Sequence, residues 1–322
     1  MQAATVVHAV FVALYSGDEW GDSLTRAAQH LNGTNVQFHA LVNHASLRVP
    51  SWITQHPVSQ MPADVVEMHR NLSRSKTKGA GIFLWKPFLY HVLPIERAIV
   101  LDLDIVLVGG ARLHGLWSQF EKFGPHTVFG IASEAGPSYA RIARSAGVNG
   151  GVQLHHLERM RQSALRRADD SSNSTTWQEA LRAMAAGEAR GWDKIEPSLG
   201  DQTLYSTLCH RTPHLCHRLP CGWNRQLSTR YYTSADFVNS WHACTSRCHL
   251  LHFNQPLLEQ VVPELQRPGY AAGCTECRHA MMRLENKTRA SGSRNPKFSW
   301  GASKQHMARV VDGCCCPERR VT

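Results

Sequence analysis

Asp102 and Asp104 stand two residues apart within Arg97-Ala-Ile-Val-Leu-Asp-Leu-Asp-Ile-Val-Leu-Val108, an apolar run that meets two carboxylates and then resumes. In an extended strand the side chains at i and i+2 share a face, so both carboxylates can converge on one cation. Their oxygens are hard ligands suited to Mg²⁺ or Mn²⁺, ions that keep positions open for phosphate oxygens. Such a pair is common by chance on a surface strand, but inside an apolar run an unpaired carboxylate is costly to bury. Near the other end, Cys248-His-Leu-Leu-His-Phe-Asn-Gln-Pro256 delivers His252 on a short apolar strand. An imidazole there would complete the site and tilt its preference from Mg²⁺ toward Mn²⁺. The competing account is a core histidine bonded to backbone, the commoner fate of one histidine in a chain with 19. In Ala146-Gly-Val-Asn-Gly-Gly-Val-Gln-Leu154, Gly150 and Gly151 allow close backbone approach, and Asn149 can donate and accept toward hydroxyls; an ordinary turn would look the same. Gly200-Asp-Gln202 sets a carboxylate and an amide at the start of a helix running to about residue 209, where Asp201 serves either chemistry or simply as a cap.

The elements that must position these groups read as an α/β chain. Residues 6–14 form a β-branched-rich run ending at Ser16-Gly17-Asp18, as expected of a buried first strand. Asp22 or Ser23 caps a helix through His30, and a second strand over 36–42 completes one βαβ unit. The spacing predicts an amphipathic helix over 82–93, stopped by Pro94, with Pro87 in its first turn or kinking it. A short helix over 113–120, a strand over 128–132 and a helix over 156–167 follow. Residues 168–176 are polar and low in complexity, which predicts a flexible surface loop. Beyond about Leu265 the pattern dissolves into Gly, Arg, Ser and Cys. The expected organisation is one domain over 1–265 and a basic, Cys-rich tail over 266–322.

Composition narrows the class. With 322 residues and 43% hydrophobic content the chain is neither fibrous nor wholly disordered. Of its net charge of +10, seven units come from Arg267 onward, where 11 Lys and Arg face 4 Asp and Glu, so the basic character belongs to the tail. All ten cysteines lie after position 208. Disulfides in an oxidising lumen and zinc ligation by Cys244, Cys248, Cys274 and Cys277 both remain open, but the longer spacings fit no standard finger. Sequons at Asn32, Asn71, Asn173 and Asn286 favour the lumen. A zinc-dependent nucleic-acid binder is disfavoured, because no aromatic-plus-basic motif accompanies the cysteines. No apolar stretch reaches the roughly 18 residues of a membrane span, and 6–14 lacks the flanks of a signal peptide, so a lumenal protein would need a signal or anchor that this sequence does not contain.

Order adds what single motifs lack. Lys86-Pro, Leu101-Asp-Leu-Asp104, Leu116-Trp117, Gly147-Val-Asn-Gly-Gly-Val152 with Leu157-Glu-Arg-Met-Arg161, Gly200-Asp-Gln202, Leu219-Pro-Cys-Gly-Trp-Asn224 and Leu251-His-Phe-Asn254 together resemble the retaining glycosyltransferases of family 8. Within that family the likeness is to the LARGE-type xylosyltransferase domain and to glucoside xylosyltransferases, over about residues 6–265. The resemblance implies a GT-A, Rossmann-like fold with a mixed central sheet flanked by helices. It implies a nucleotide base held by the backbone of Phe11, Val12, Ala13, Leu14 and Tyr15, and Mn²⁺ (Mg²⁺ possible) ligated by Asp102, Asp104 and His252 with Leu103 between. Lys86 would reach the ribose or phosphates, and Asn149, Gly150, Gly151, Asp201 and Gln202 would surround the transferred sugar, the last two as catalytic candidates. The implied activity is transfer from a UDP-sugar, foremost UDP-xylose, to a glycan or glycoside hydroxyl with retention, in the Golgi or ER lumen. Glucose or galactose transfer, or a catalytically silent sugar-binding relative, are the alternatives. Two features depart from the family pattern: Leu257 and Leu258 stand where a lysine often follows the late histidine, and Thr203 replaces the second aspartate of an Asp-Gln-Asp triplet.

Overall fold

The computed structural model describes residues 5–14, 18–43, 48–73, 80–108, 111–133, 147–163, 175–186, 200–227 and 246–253. Tyr15, residues 168–174, the tail over 266–322, Leu257, Leu258, the sequons at Asn173 and Asn286, and Cys244, Cys274 and Cys277 lie outside them.

Strands β1 (Val7–Ala13), β2 (Val36–Val42), β3 (Ile53–Pro57), β4 (Ala98–Leu101), β6 (Phe129–Ser133), β7 (Val148–His155) and β8 (Cys216–Leu219) form one sheet in the order β3-β2-β1-β4-β7-β6-β8. Parallel pairing joins β3, β2, β1 and β4, whereas β7 runs antiparallel to both β4 and β6, so the sheet is mixed. The chain leaves β1 toward β2 and β3, then returns to lay β4 on the other side of β1. Such a reversal opens a crevice past the carboxyl ends of the two strands, the usual ligand position in open α/β sheets. A second, three-stranded sheet is ordered β5-β10-β9, from β5 (Ile105–Leu107), β9 (Arg225–Leu227) and β10 (Leu250–Phe253).

Apart from His8, the apolar run of β1 follows from burial on both faces. Val10, Val12 and Leu14 join one core cluster, and Val7, Ala9, Phe11 and Ala13 the other. Helix α1 (Asp18–Leu31) covers the second face with Leu24, Ala27, Ala28 and Leu31, spaced i, i+3, i+4, i+7. It begins four residues before the sequence-based cap. Helices α2 (Ala63–Ser73) and α5 (Trp177–Ala185) pack on the other face, where Trp177, Ala180, Leu181 and Met184 repeat the same spacing. Thr176, expected at the end of a loop, instead caps α5 in a capping box with Glu179.

Three further expectations change in detail. The segment predicted as an amphipathic α-helix is a 3-10 helix, Ala80–His91, with Leu84, Trp85, Lys86, Phe88, Leu89 and Tyr90 all buried. Pro87 has no N–H to donate and in an α-helix would clash with the carbonyl four residues back, so a regular α-helix through this segment is disfavoured. The helix over 113–120 divides into α3 (Leu113–Trp117) and a 3-10 turn Ser118–Lys122, while α4 (Leu157–Gln162) is the described part of the helix expected over 156–167. Cys209, in α6 (Asp201–Arg211), is bonded to Cys216 at the start of β8, and Cys221 and Cys248 are disulfide-bonded as well. These four cysteines are therefore not zinc ligands. Of the sequons, Asn32 is exposed just after α1, whereas Asn71 lies within α2 with its amide oxygen buried.

Candidate functional site

Strand β4 ends at Leu101, and Asp102, Leu103 and Asp104 form the turn that carries the chain into β5 of the second sheet. The two aspartates are thus on a turn and not, as strand spacing suggested, on one face of a continuous strand. Convergence survives because β10 lies antiparallel to β5 with His252 opposite Ile105, the residue after Asp104. His252 Nε2 lies 3.4 Å from Asp104 Oδ1 and 3.7 Å from Asp102 Oδ2, and ligand atoms from all three side chains fall within 4.8 Å of one another. Two carboxylates and an imidazole at this separation can close on one divalent ion, and the nitrogen favours Mn²⁺ over Mg²⁺. The burial of Asp104 and His252 fits a cation: burial pushes the Asp104 carboxyl up, against the pull of His252, and a bound positive charge would relieve that cost.

Close packing beneath these ligands explains the paired glycines. A β-carbon on Gly151 would sit 2.5 Å from His252 Nε2, with other ring atoms nearer still, and one on Gly150 would lie 3.0 Å from Asp201 Cγ. Gly150 and Gly151 are therefore required for the approach of His252 and Asp201 to β7, a constraint distinct from contact with a sugar.

Lys86 is placed at the site but differently from the expected reach to ribose or phosphate. Its side chain is 1% exposed, and its Nζ meets Asp102 Oδ1 at 2.8 Å, the Gly150 carbonyl at 2.8 Å and Asp201 Oδ2 at 3.1 Å. Three acceptors match the three protons of an ammonium. Burial alone would lower its pKa, but Asp102 and Asp201 outweigh burial and hold Lys86 charged, above its ordinary value. Lys86 thus ties a metal-ligand candidate to the catalytic candidate Asp201. The 3-10 helix that carries it is capped by the Arg161 guanidinium, which donates to the carbonyls of Tyr90, Leu93 and Ile95. This gives the Leu157-Glu-Arg-Met-Arg161 motif a structural task.

Asp201 opens α6 behind Gly200, the N-cap, whose φ of 52° favours glycine. It is buried, and burial pushes its carboxyl up, against the pull of Lys86. Gln153 donates from Nε2 to Asp201 Oδ2 at 2.9 Å and to the Gly150 carbonyl at 2.8 Å, and its Oε1 lies 2.7 Å from His155 Nε2. Burial, with Lys86 nearby, lowers the His155 pKa to about 3, so this ring is neutral. Thr203, the third residue of the triplet, is fully buried, while Gln202 is half-buried. Asn149 is also buried; its Oδ1 accepts from the Gly151 N–H at 3.0 Å and from Asn224 Nδ2 at 2.9 Å.

Phe11, Val12 and Ala13 are in β1, and the β4 ladder ends at Phe11 opposite Leu101 while β1 continues. Beyond that pair the backbone of Val12, Ala13 and Leu14 runs past the β4 ladder, on the side where Asp102 follows Leu101, whereas Phe11 is held within the sheet. Sequence reasoning missed Gln153 and Asn224 as site residues. Their signal was a polar side chain in an otherwise apolar, buried setting, as in Val152-Gln153-Leu154.

Comparison with known proteins agrees with this geometry. No protein-family model matches the chain. The chain is 28% identical over 194 residues to xyloside xylosyltransferase 1 of Mus musculus, which covers 54% of this chain and 47% of that protein. It is 29% identical over 189 residues to the xylosyl- and glucuronyltransferase LARGE1 of Homo sapiens, covering 55% of this chain and 22% of that one. The chain therefore spans about half or less of the curated relatives it matches. Among solved structures, the apo form of mouse xyloside xylosyltransferase 1 superposes with a TM-score of 0.61 at 22% identity, covering 78% of this chain and 98% of that one. The galactosyltransferase LgtC, in complex with donor and acceptor sugar analogs, gives 0.55 at 14% identity, covering 81% and 95%. These neighbours are GT-A glycosyltransferases, and the fold expected from the sequence is borne out. So is the resemblance to LARGE-type and related xylosyltransferases of family 8.

Proposed function

We propose that this chain is a retaining glycosyltransferase that moves a sugar, foremost xylose, from a UDP-sugar to a hydroxyl of a glycan or glycoside. The observation that carries this is the meeting of Asp102, Asp104 and His252 in the crevice beyond β1 and β4. Xylose is favoured as the donor sugar because the curated relatives are xylosyltransferases by name. Asp102, Asp104 and His252 would hold Mn²⁺, which when bound stabilises the charge that develops on the departing diphosphate. The backbone of Val12, Ala13 and Leu14 would receive the base, and Asn149, Gln202 and Asp201 would line the sugar. Golgi or ER placement fits the disulfides at Cys209, Cys216, Cys221 and Cys248. Among the described residues no helix is long and apolar enough to cross a membrane.

Retention requires either a protein nucleophile or attack from the face that the leaving group departs. Asp201 is a poor nucleophile where it stands, because Lys86 and Gln153 both bond its Oδ2 and it is buried. Gln202 carries a neutral amide. Both facts favour the front-face route, in which the acceptor hydroxyl attacks the anomeric carbon and its proton passes to the departing phosphate oxygen. The Lys86 cluster then serves to fix Asp201 and Asp102.

A panel of UDP-sugars with Mn²⁺ and the purified protein tests this, with wild type set beside Asp104→Ala. UDP release strongest from UDP-xylose and abolished in the variant is the expected outcome. Equal release by the two proteins would refute the assignment, and Mn²⁺ binding without turnover on any sugar would support the silent relative instead.

A further inference from the structure

We propose that Asn224 is a positioning residue that fixes His252 in the tautomer whose Nε2 lone pair faces Asp102 and Asp104. The proposal deepens the metal-site assignment above and rests on it for its consequence, although the tautomer itself follows from hydrogen bonds alone.

The backbone N–H of Gly151 can only donate, and it lies 3.0 Å from the Asn149 atom assigned as Oδ1, which must therefore be the amide oxygen. The Asn224 group 2.9 Å from that same oxygen must then be its NH₂, which also lies 3.4 Å from the Asn149 carbonyl. The other end of the Asn224 amide is in consequence its oxygen, and it lies 3.1 Å from His252 Nδ1. An amide oxygen only accepts, so Nδ1 carries a proton. In the neutral ring Nε2 is then bare, and it is the nitrogen directed at Asp104 and Asp102. A ring protonated at both nitrogens would release only its Nε2 proton when a cation enters. Either way the ligating atom is decided by Asn224, as the outer partner of a metal-bound histidine usually decides it.

The surroundings of Asn224 suit this task. It is buried and ends the 3-10 turn Cys221–Trp223, immediately before β9, which pairs with β10. The turn is fastened to the chain entering β10: His249 N–H donates to the Gly222 carbonyl at 2.8 Å, and the Trp223 and His249 rings stack at 4.2 Å. A β-carbon on Gly222 would collide with the Arg247 carbonyl. The Pro-Cys-Gly-Trp-Asn segment is thus a rigid mount for one amide, joined through Asn149 to β7 and through His252 to β10.

The test uses Asn224→Leu, close in volume but unable to accept, and Asn224→Asp, which keeps an acceptor for Nδ1. Two readouts apply to the full chain: imidazole ¹⁵N spectra of the metal-free protein at alkaline pH, with His252 assigned from a His252→Gln spectrum, and Mn²⁺ affinity measured from the free-ion electron paramagnetic resonance signal. Wild type and Asn224→Asp should show the Nδ1–H form and bind Mn²⁺ comparably. Asn224→Leu should mix tautomers and bind about 10- to 100-fold more weakly. An Nε2–H form in wild type, or an Asn224→Leu protein with unchanged spectrum and affinity, would overturn the proposal. If Asn224→Leu does not fold, the wild-type and Asn224→Asp spectra still decide it. An Nδ1–H wild type that binds no Mn²⁺ would support the tautomer and refute the metal site, so the two failures are distinguishable.

Discussion

Gly151→Ala is the sharpest perturbation that the packing offers, since it adds one carbon and no charge. That carbon would lie 2.5 Å from His252 Nε2 and nearer to other ring atoms, where relaxed contacts need about 3.5 Å or more, so the ring or β7 must yield by more than about 1 Å. The ring is confined on its other side by Asn224 at 3.1 Å, and β7 is bonded to both β4 and β6. Displacement of Nε2 by that amount from the two carboxylates should weaken Mn²⁺ binding and lower turnover by about 100-fold. The overpacking itself should cost the fold about 1–3 kcal/mol. Mn²⁺ titration, UDP release and a urea transition would separate the two effects. Gly33→Ala is the control, because a β-carbon there meets only Val36 Cγ2 at an ordinary 3.7 Å. If Gly151→Ala binds Mn²⁺ and turns over like wild type, His252 does not occupy the position described.

Lys86→Met should destabilise the protein by about 3–5 kcal/mol in urea, because Asp102 and Asp201 would be left beside each other without their shared cation; a loss under about 1 kcal/mol would contradict that role. Replacing both Cys209 and Cys216 by alanine opens a short loop of sequence separation 7 and should cost roughly 2–3 kcal/mol by chain entropy, measured the same way, with UDP release retained. Stability should also fall with acid. Burial lowers His30, His39 and His156 to about 4 and His155 to about 3, from 6.5. The unfolded chain therefore binds protons that the fold refuses, so stability is full above pH 6.5 and declines toward pH 4. The urea midpoint should drop between pH 7 and pH 5, less steeply in His39→Gln; a flat profile would refute this.

Much of the architecture was legible because local patterns agree with tertiary burial. The strand over 36–42 appears with the bounds that its residues suggest, and β1 is apolar except at His8 because helices cover both sides of its sheet. The proposed metal ligands were legible as residue types, yet the reason for their convergence was not. It depends on β4 ending at Leu101 and on β10 pairing with β5, a contact between segments far apart in sequence. Lys86 was unreadable for the same reason: nothing near it in sequence shows that Asp102, Gly150 and Asp201 will surround its ammonium. Asn224 belonged to a recognised motif without a role, because only the Gly151 N–H, through Asn149, fixes which way its amide points.

The split of the three proposed ligand side chains between a turn near residue 103 and a strand near residue 251 bears on biosynthesis. While the chain is made from its amino end, β1 through β7 can assemble with Asp102 held by Lys86 and by the Gly151 carbonyl, but Asp104 and the imidazole are brought together only after β10 has left the ribosome and paired with β5. A chain stalled or clipped before Leu250 can retain most of the large sheet and still lack the nitrogen donor. The proposed three-ligand centre is therefore formed only once the segment through Phe253 has been delivered and docked.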